Sequence, residues 1–354
     1  MKPLLLGTTI AVVGLSACHV VFHEGGQDAA TAPANTIFLT DRVFTGDLGG
    51  RAGADQKCRD AATEAKLEGN FVAVLGESST VTDGLALSRL SMARGWVRPD
   101  GQPVVASAAD LLSGKQWYPI SQDQAGNELG VNAVYWSGSR PTGGVEFDCN
   151  KWTDATTVDL YGDVGHGQLA AGLGHRSHGC GQAAHLLCAS IDLQSTIKPP
   201  QGTGKHIFVS TVPFSANAQG RQAADAICAT EAAEARLPGT YLAFLGTTTS
   251  TPISRFNGLA TYQRMDGQPL GFLGGAPMSF INRSARNTIV NLQVWAGAPG
   301  VITSSETCSD WMVSAGMVFG HLGRSNAAGS GAYDDYFSNY DNCSFAYSVY
   351  CVEL

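Results

Sequence analysis

Two tandem α+β domains, loop-rich and each closed by two disulfides, are predicted for this chain of 354 residues. Three observations predict them. Eight cysteines fall into two sets of four with nearly equal spacing, Cys58, Cys149, Cys180, Cys188 and Cys228, Cys308, Cys343, Cys351. A 40-residue block repeats without a gap, Ile37–Gly76 against Ile207–Gly246, identical at 16 positions. Each block reads as strand, helix and buried strand, followed by Gly-rich chain punctuated by aromatics. An even cysteine count per domain argues that all eight are paired, and sequence alone leaves three connectivities open in each.

The N-terminus explains the ninth cysteine. Met1-Lys2 precedes an apolar stretch from Pro3 to Gly14. A bilayer span needs about 20 apolar residues, so the stretch suits a secretory signal better than a membrane helix. It ends in Leu15-Ser16-Ala17-Cys18, which resembles a bacterial lipobox. The resemblance implies cleavage after residue 17, lipid (palmitate among its chains) on Cys18, and a membrane partner reached through that lipid. Stable anchoring takes more than one acyl chain. By analogy with lipoprotein sorting, His19 in place of Asp points to the outer membrane. Residues 18–35 are rich in Ala, Gly and polar residues and read as a flexible tether. Both domains are therefore expected outside the cytoplasm, where disulfides persist.

Composition agrees. Charged residues make up 15%, Gly numbers 43, and mean hydropathy is −0.01. Net charge is −8, and loss of Lys2 with the signal makes it −9. An acidic chain of this kind has no electrostatic footprint for nucleic acid.

Each element has its own justification. Ile37-Phe38-Leu39-Thr40 and Ile207-Phe208-Val209-Ser210 are β-rich openings. Ala54, Cys58, Ala61, Ala62 and Ala65 fall at helical spacing, with Asp55, Lys57, Arg59 and Glu64 on other faces. Gly69 predicts the helix end near Leu67–Gly69. Phe71–Leu75 and Tyr241–Leu245 read as buried strands. Asp100-Gly101 and Asp266-Gly267 predict hairpin turns. Ser107-Ala-Ala-Asp110 resembles a capping box before Leu111-Leu112. Strands ending at Cys188 and Cys351 close the domains. Leu193–Lys205, with Pro-Pro and Gly, reads as a linker, which sets the domains at 36–192 and 206–354.

Several motifs occur in the same order in both copies: Ile37-Phe38, Gly49-Gly50…Ala54-Asp55…Cys58 and Cys149-x-x-Trp152, with Ile207-Phe208, Ala224-Asp225…Cys228 and Cys308-x-x-Trp311; the second copy departs at Asn217-Ala218-Gln219, where the first has Asp47-Leu48-Gly49. In this order they resemble the C-type lectin-like fold. Its endostatin-like branch, and an uncharacterised domain family of bacterial lipoproteins, are the nearest likeness. The resemblance implies nested disulfides, Cys58–Cys188 outside Cys149–Cys180 and Cys228–Cys351 outside Cys308–Cys343. Each is worth about 3–5 kcal/mol in the chain-entropy model. It also implies that Trp152 and Trp311 pack beside the inner bridges.

Candidate sites differ between the copies. The second carries Asp334, Asp335, Asp341 and Asn342, hard oxygen ligands that make calcium a candidate cofactor there. Tyr333, Tyr336, Phe337 and Tyr340 crowd the same loop as candidate ligand-facing aromatics. The first copy offers His166, His175, His178 and His185, residue types that suit zinc, although their spacing matches no defined zinc motif. No nucleophile elbow, P-loop or dinucleotide fingerprint occurs. The expected function is a lipid-anchored binding or adhesion module for an extracellular protein or glycan, and no catalytic residue is assigned. A metal-dependent enzyme on the same fold and a purely structural envelope protein are the alternatives.

Overall fold

The computed structural model describes residues 33–78, 85–140, 144–217, 219–296, 306–335 and 339–354. Cys18, Tyr336 and Phe337 lie outside them. The chain is a mixed α/β protein with one architecture built twice. The N-terminal sheet comprises β1 (Asn35–Leu39), β2 (Phe71–Ala73), β3 (Trp96–Val97), β4 (Pro103–Val105), β5 (Val134–Trp136), β6 (Tyr161–His166), β7 (Arg176–Gly179) and β8 (His185–Ser190). The C-terminal sheet comprises β9 (Lys205–Val209), β10 (Tyr241–Ala243), β11 (Thr261–Arg264), β12 (Pro269–Phe272), β13 (Gln293–Trp295), β14 (Phe319–Arg324), β15 (Tyr340–Asn342) and β16 (Ser348–Glu353). Strand order is β4-β3-β1-β8-β5-β6-β7 in one and β12-β11-β9-β16-β13-β14-β15 in the other, with β2 and β10 joining β8 and β16. The closing strand is thus the hub of each sheet, which is why its residues are almost all buried.

One long helix covers each sheet, α1 (Gly50–Glu64) and α2 (Arg221–Glu234). Its small residues, Ala54, Cys58, Ala61 and Ala62 in α1, are the buried ones, so the helix lies close on the sheet. The helix stops earlier than Gly69 predicts. Lys66 takes the left-handed conformation at φ 57°, and Leu67 N–H bonds back to the Ala62 carbonyl at 2.8 Å. That folds Leu67 under the helix against the core, the hydrophobic partner that such a C-terminal motif takes. Arg236 and Leu237 repeat the arrangement.

The motif carboxylate of each helix is a clamp. Asp55 takes both Arg89 nitrogens, at 2.7 and 2.6 Å, and the Ala73 N–H at 2.9 Å. Asp225 does the same with Arg255 and Ala243. Helix, second strand and a following 3-10 turn are tied together at one point. The Arg-x-Asp-Gly hairpins work similarly. Gly101 and Gly267 both stand at φ 84°, and Asp100 and Asp266 pair with Arg98 and Arg264. Asp110 reaches back to the Ser107 N–H at 3.0 Å, and the Ser107 hydroxyl bonds the same carboxylate rather than the backbone.

Disulfides join Cys58–Cys188, Cys149–Cys180, Cys228–Cys351 and Cys308–Cys343. The Cys-x-x-Trp motifs are left-handed turns. All four residues of Cys149–Trp152 have φ between 49° and 63°, and those of Cys308–Trp311 between 49° and 66°. Left-handed backbone costs about 1–2 kcal/mol per non-Gly residue. The turn is pinned at both ends, by the inner disulfide and by the indole, whose Nε1–H donates to Gly76 O (Trp152) or Gly246 O (Trp311) at 2.7 Å. Trp152 and Trp311 stack at 5.6 Å on Trp136 and Trp295 in the cores beside the bridges.

The two units meet through equivalent residues. Leu169 and Ala327 face each other in an antiparallel bridge. Ala170 N–H donates to Asn326 O at 2.8 Å, and Ala328 N–H donates to Gln168 O at 2.9 Å. Gln168, Leu169 and Ala170 follow β6 as Asn326, Ala327 and Ala328 follow β14, so the contact is isologous about a pseudo-two-fold axis. Ala170, Ala328 and Phe280 form a small apolar cluster there. Asn282 Nδ2 donates to Gly114 O at 3.1 Å, and the fully buried Arg264 reaches Gln116 O at 3.4 Å.

Candidate functional site

The outermost hairpin of each sheet carries the most chemistry left at the surface. In the C-terminal unit this is β14–β15. Its register places Phe319 opposite Asn342, Gly320 opposite Asp341 and His321 opposite Tyr340. Alternation sends Gly320 and Asp341 to one face and Phe319, His321 and Tyr340 to the other. The first face turns inward. A Cβ on Gly320 would stand 2.6 Å from the Trp295 ring, and Asp341 accepts from the Tyr347 hydroxyl.

The second face is the candidate site. Phe319 and Tyr340 meet edge to face at 5.4 Å, and they are 38% and 48% exposed. Beside them His321 is buried between two carboxylates. Its Nδ1 is 2.6 Å from Glu306 Oε2, and its Nε2 is 3.4 Å from Asp334 Oδ1. Asp334 and Glu306 remain open to solvent at 50% and 26% of their side chains. Met317, just before β14, is 87% exposed. The stretch of sequence that carries the face is acidic. From Asn287 to Leu354 the only lysine or arginine is Arg324, against six acidic residues.

The equivalent face of the N-terminal unit, on β6–β7, carries different residues. Tyr161 stands where Phe319 does and packs on Phe147 at 6.0 Å. Asp163 replaces His321 and Phe147 replaces Glu306, with the same backbone bond from strand to loop in both copies. Here Arg140 lies across the aromatic ring, its guanidinium carbon 5.0 Å from the Phe147 centroid. It pairs with Glu146 and comes within 3.5 Å of Asp163 Oδ1. Burial raises the Asp163 carboxyl, while backbone N–H bonds from Phe147 and the Arg140 charge pull the other way.

The sequence-predicted ligands disperse. Asp335 is buried in a bidentate pair with Arg324 at 2.8 and 3.2 Å, Asp341 serves Tyr347, and Asn342 bonds Gly316 O. Strand alternation therefore splits the expected calcium set. Tyr333 is 3% exposed and packs at 5.3 Å on Phe244 as a core residue, and burial pushes its hydroxyl far up. Of the histidines, only His166 and His175 come together, edge to face at 5.6 Å. Burial lowers them to about 3 and about 4, with neighbouring Arg176 adding to it. His178 turns to the Trp136 ring and His185 to the Thr40 carbonyl, both also lowered by burial. Among the described residues no group of three or more His, Cys, Asp or Glu is placed to hold a metal ion, nor is any helix long and apolar enough to cross a membrane.

His321, Glu306 and Phe319 were missed by sequence reasoning. Glu306 and His321 are 15 residues apart, and only a strand-to-loop bridge joins them. No protein-family model matches the chain, and none of the curated proteins is similar to it.

Proposed function

We propose that this chain is a lipid-anchored, extracytoplasmic binding module. Two C-type lectin-like units of the endostatin-like kind present recognition faces from a disulfide-held scaffold. The observation that carries the reading is the outer hairpin. In both units it presents an exposed ring at one equivalent position, Tyr161 or Phe319, packed on a second aromatic, Phe147 or Tyr340, next to carboxylates. Aromatic rings with open faces are the usual anchors of recognition surfaces. Four disulfides fit an oxidising compartment, and the lipobox resemblance at Cys18 supplies the tether. Two faces on one anchored chain raise avidity by effective concentration.

The test is surface plasmon resonance of the purified chain against cell-envelope polysaccharides and extracellular matrix proteins, with Tyr161→Ser/Phe319→Ser alongside. Affinity for at least one probe, lost in the double variant at unchanged Tm, is expected. No affinity for any probe, or affinity indifferent to both substitutions, sinks the reading.

A further inference from the structure

The two copies of the outer face differ in one respect that identifies a ligand. In the N-terminal unit an arginine of the same chain occupies the aromatic and carboxylate shell. Arg140 stacks over Phe147, itself packed on Tyr161, and its edge meets Glu146 and Asp163. Arg140 comes from the loop between Trp136 and Cys149. The matching loop of the second copy, between Trp295 and Cys308, holds no lysine or arginine.

The second copy builds a different shell, with Glu306 in place of Phe147 and His321 in place of Asp163. Phe319 keeps the ring of Tyr161, Tyr340 supplies the second aromatic, and Glu306 and Asp334 supply the carboxylates. Both carboxylates flank His321, which is 6% exposed and whose Nε2 makes no hydrogen bond. Among the described residues neither Glu306 nor Asp334 pairs with a lysine or arginine.

We propose that the face formed by Phe319, Tyr340, Glu306 and Asp334 binds an arginine side chain from a basic segment of a partner protein, the side-chain type that Arg140 supplies from within the chain in the N-terminal unit. Three features point to this occupant. The first is charge: Glu306 and Asp334 stand solvent-open at the face, and the one arginine between Asn287 and Leu354, Arg324, is paired with Asp335. The second is shape: a planar guanidinium stacks on aromatic faces and bonds carboxylates along its edge, which an ammonium does less well. The third is surface: exposed Met317 and Phe319 give the apolar contact expected of a protein interface rather than of a purely polar ligand. The inference rests on the binding-module reading and names the partner of one of its faces.

The experiment uses the full chain in detergent and a fluorescein-labelled nine-residue peptide of alternating Arg and Ser, with Lys/Ser and Glu/Ser peptides of equal length. Saturable binding of one Arg/Ser peptide per chain is expected, weaker for Lys/Ser and absent for Glu/Ser. Glu306→Gln/Asp334→Asn should weaken it at least tenfold without moving the Tm. Arg140→Gln should raise the stoichiometry to two by opening the N-terminal shell; should that variant not fold, the C-terminal variants decide. Equal affinity for all three peptides, no Arg/Ser binding, or an unchanged affinity in the carboxylate variant overturns the proposal. Capture of a polysaccharide by the Phe319 face with no Arg/Ser binding overturns it too, but leaves the binding-module reading standing. Failure of every probe removes both.

Discussion

Replacing Asp55 with Ala should unfold the N-terminal unit at much lower denaturant. The carboxylate accepts three hydrogen bonds, two from Arg89 and one from Ala73 N–H. The side chains of the pair are only 13% and 15% exposed. Its removal leaves a guanidinium nearly out of water, held by the Ala73 carbonyl at 2.6 Å, and strands a backbone N–H. Breaking a buried pair in this way costs about 3–5 kcal/mol. With a urea slope of about 2 kcal/mol per molar, the midpoint falls by about 2 M. The assay is equilibrium urea unfolding with disulfides intact, read by tryptophan fluorescence. A companion, Asp55→Leu/Arg89→Met, removes both charges and should recover most of the loss, because apolar replacement of a whole buried pair is close to neutral. A midpoint within about 0.3 M of the parent in Asp55→Ala would refute the clamp and reduce the pair to a surface contact.

Three other outcomes are expected. Trp152→Phe keeps a ring in the core but strands the Gly76 carbonyl, and should cost about 1–3 kcal/mol by the same urea assay; no change would mean that the indole bond holds nothing. Gly320→Ala puts a Cβ 2.6 Å from the Trp295 ring and 2.8 Å from Cys308 Sγ, an overpacking worth about 1–3 kcal/mol, and an unchanged Tm would contradict that geometry. His166 and His175 have folded pKa values depressed below 6.5, so the unfolded state binds the protons first. Their stabilisation is complete above about pH 6.5 and is lost as pH falls towards 4 and then 3, at no more than about 1.4 kcal/mol per pH unit for each. His175→Asn should flatten the pH dependence of urea stability between pH 6.5 and 4.5, and parallel slopes would reject the assignment.

What could be read in the sequence was whatever repeats locally. The opening strands, the helix start at Gly50-Arg51, the Asp-Gly hairpins and the last strand each rest on a short stretch that occurs twice. The helix end did not, because Lys66 rather than Gly69 takes the left-handed position and only Leu67's packing decides it. The acidic loop misled for a related reason. Asp334, Asp335, Asp341 and Asn342 are neighbours along the chain, yet Asp335 has an arginine partner eleven residues away and Asp341 sits on the opposite face of the hairpin from Tyr340. The site centred on His321 left no trace in the repeat, since its counterpart is Asp163 and the two share only a place in the strand. A function carried by positions where copies diverge is invisible to a comparison that looks for identity.

The joint at Leu169 and Ala327 has the symmetry of a dimer. A contact between equivalent residues is of the kind that two identical subunits make about a two-fold axis. Such a pair forms and dissolves with concentration. With both partners on one chain, joined through residues 193–205, the contact does not depend on concentration and its two sides need not be identical. The positions flanking the axis have since gone separate ways. His166 and His175 stand in one half where Arg324 and Asp335 stand in the other, a division of labour that no homodimer of identical chains can adopt.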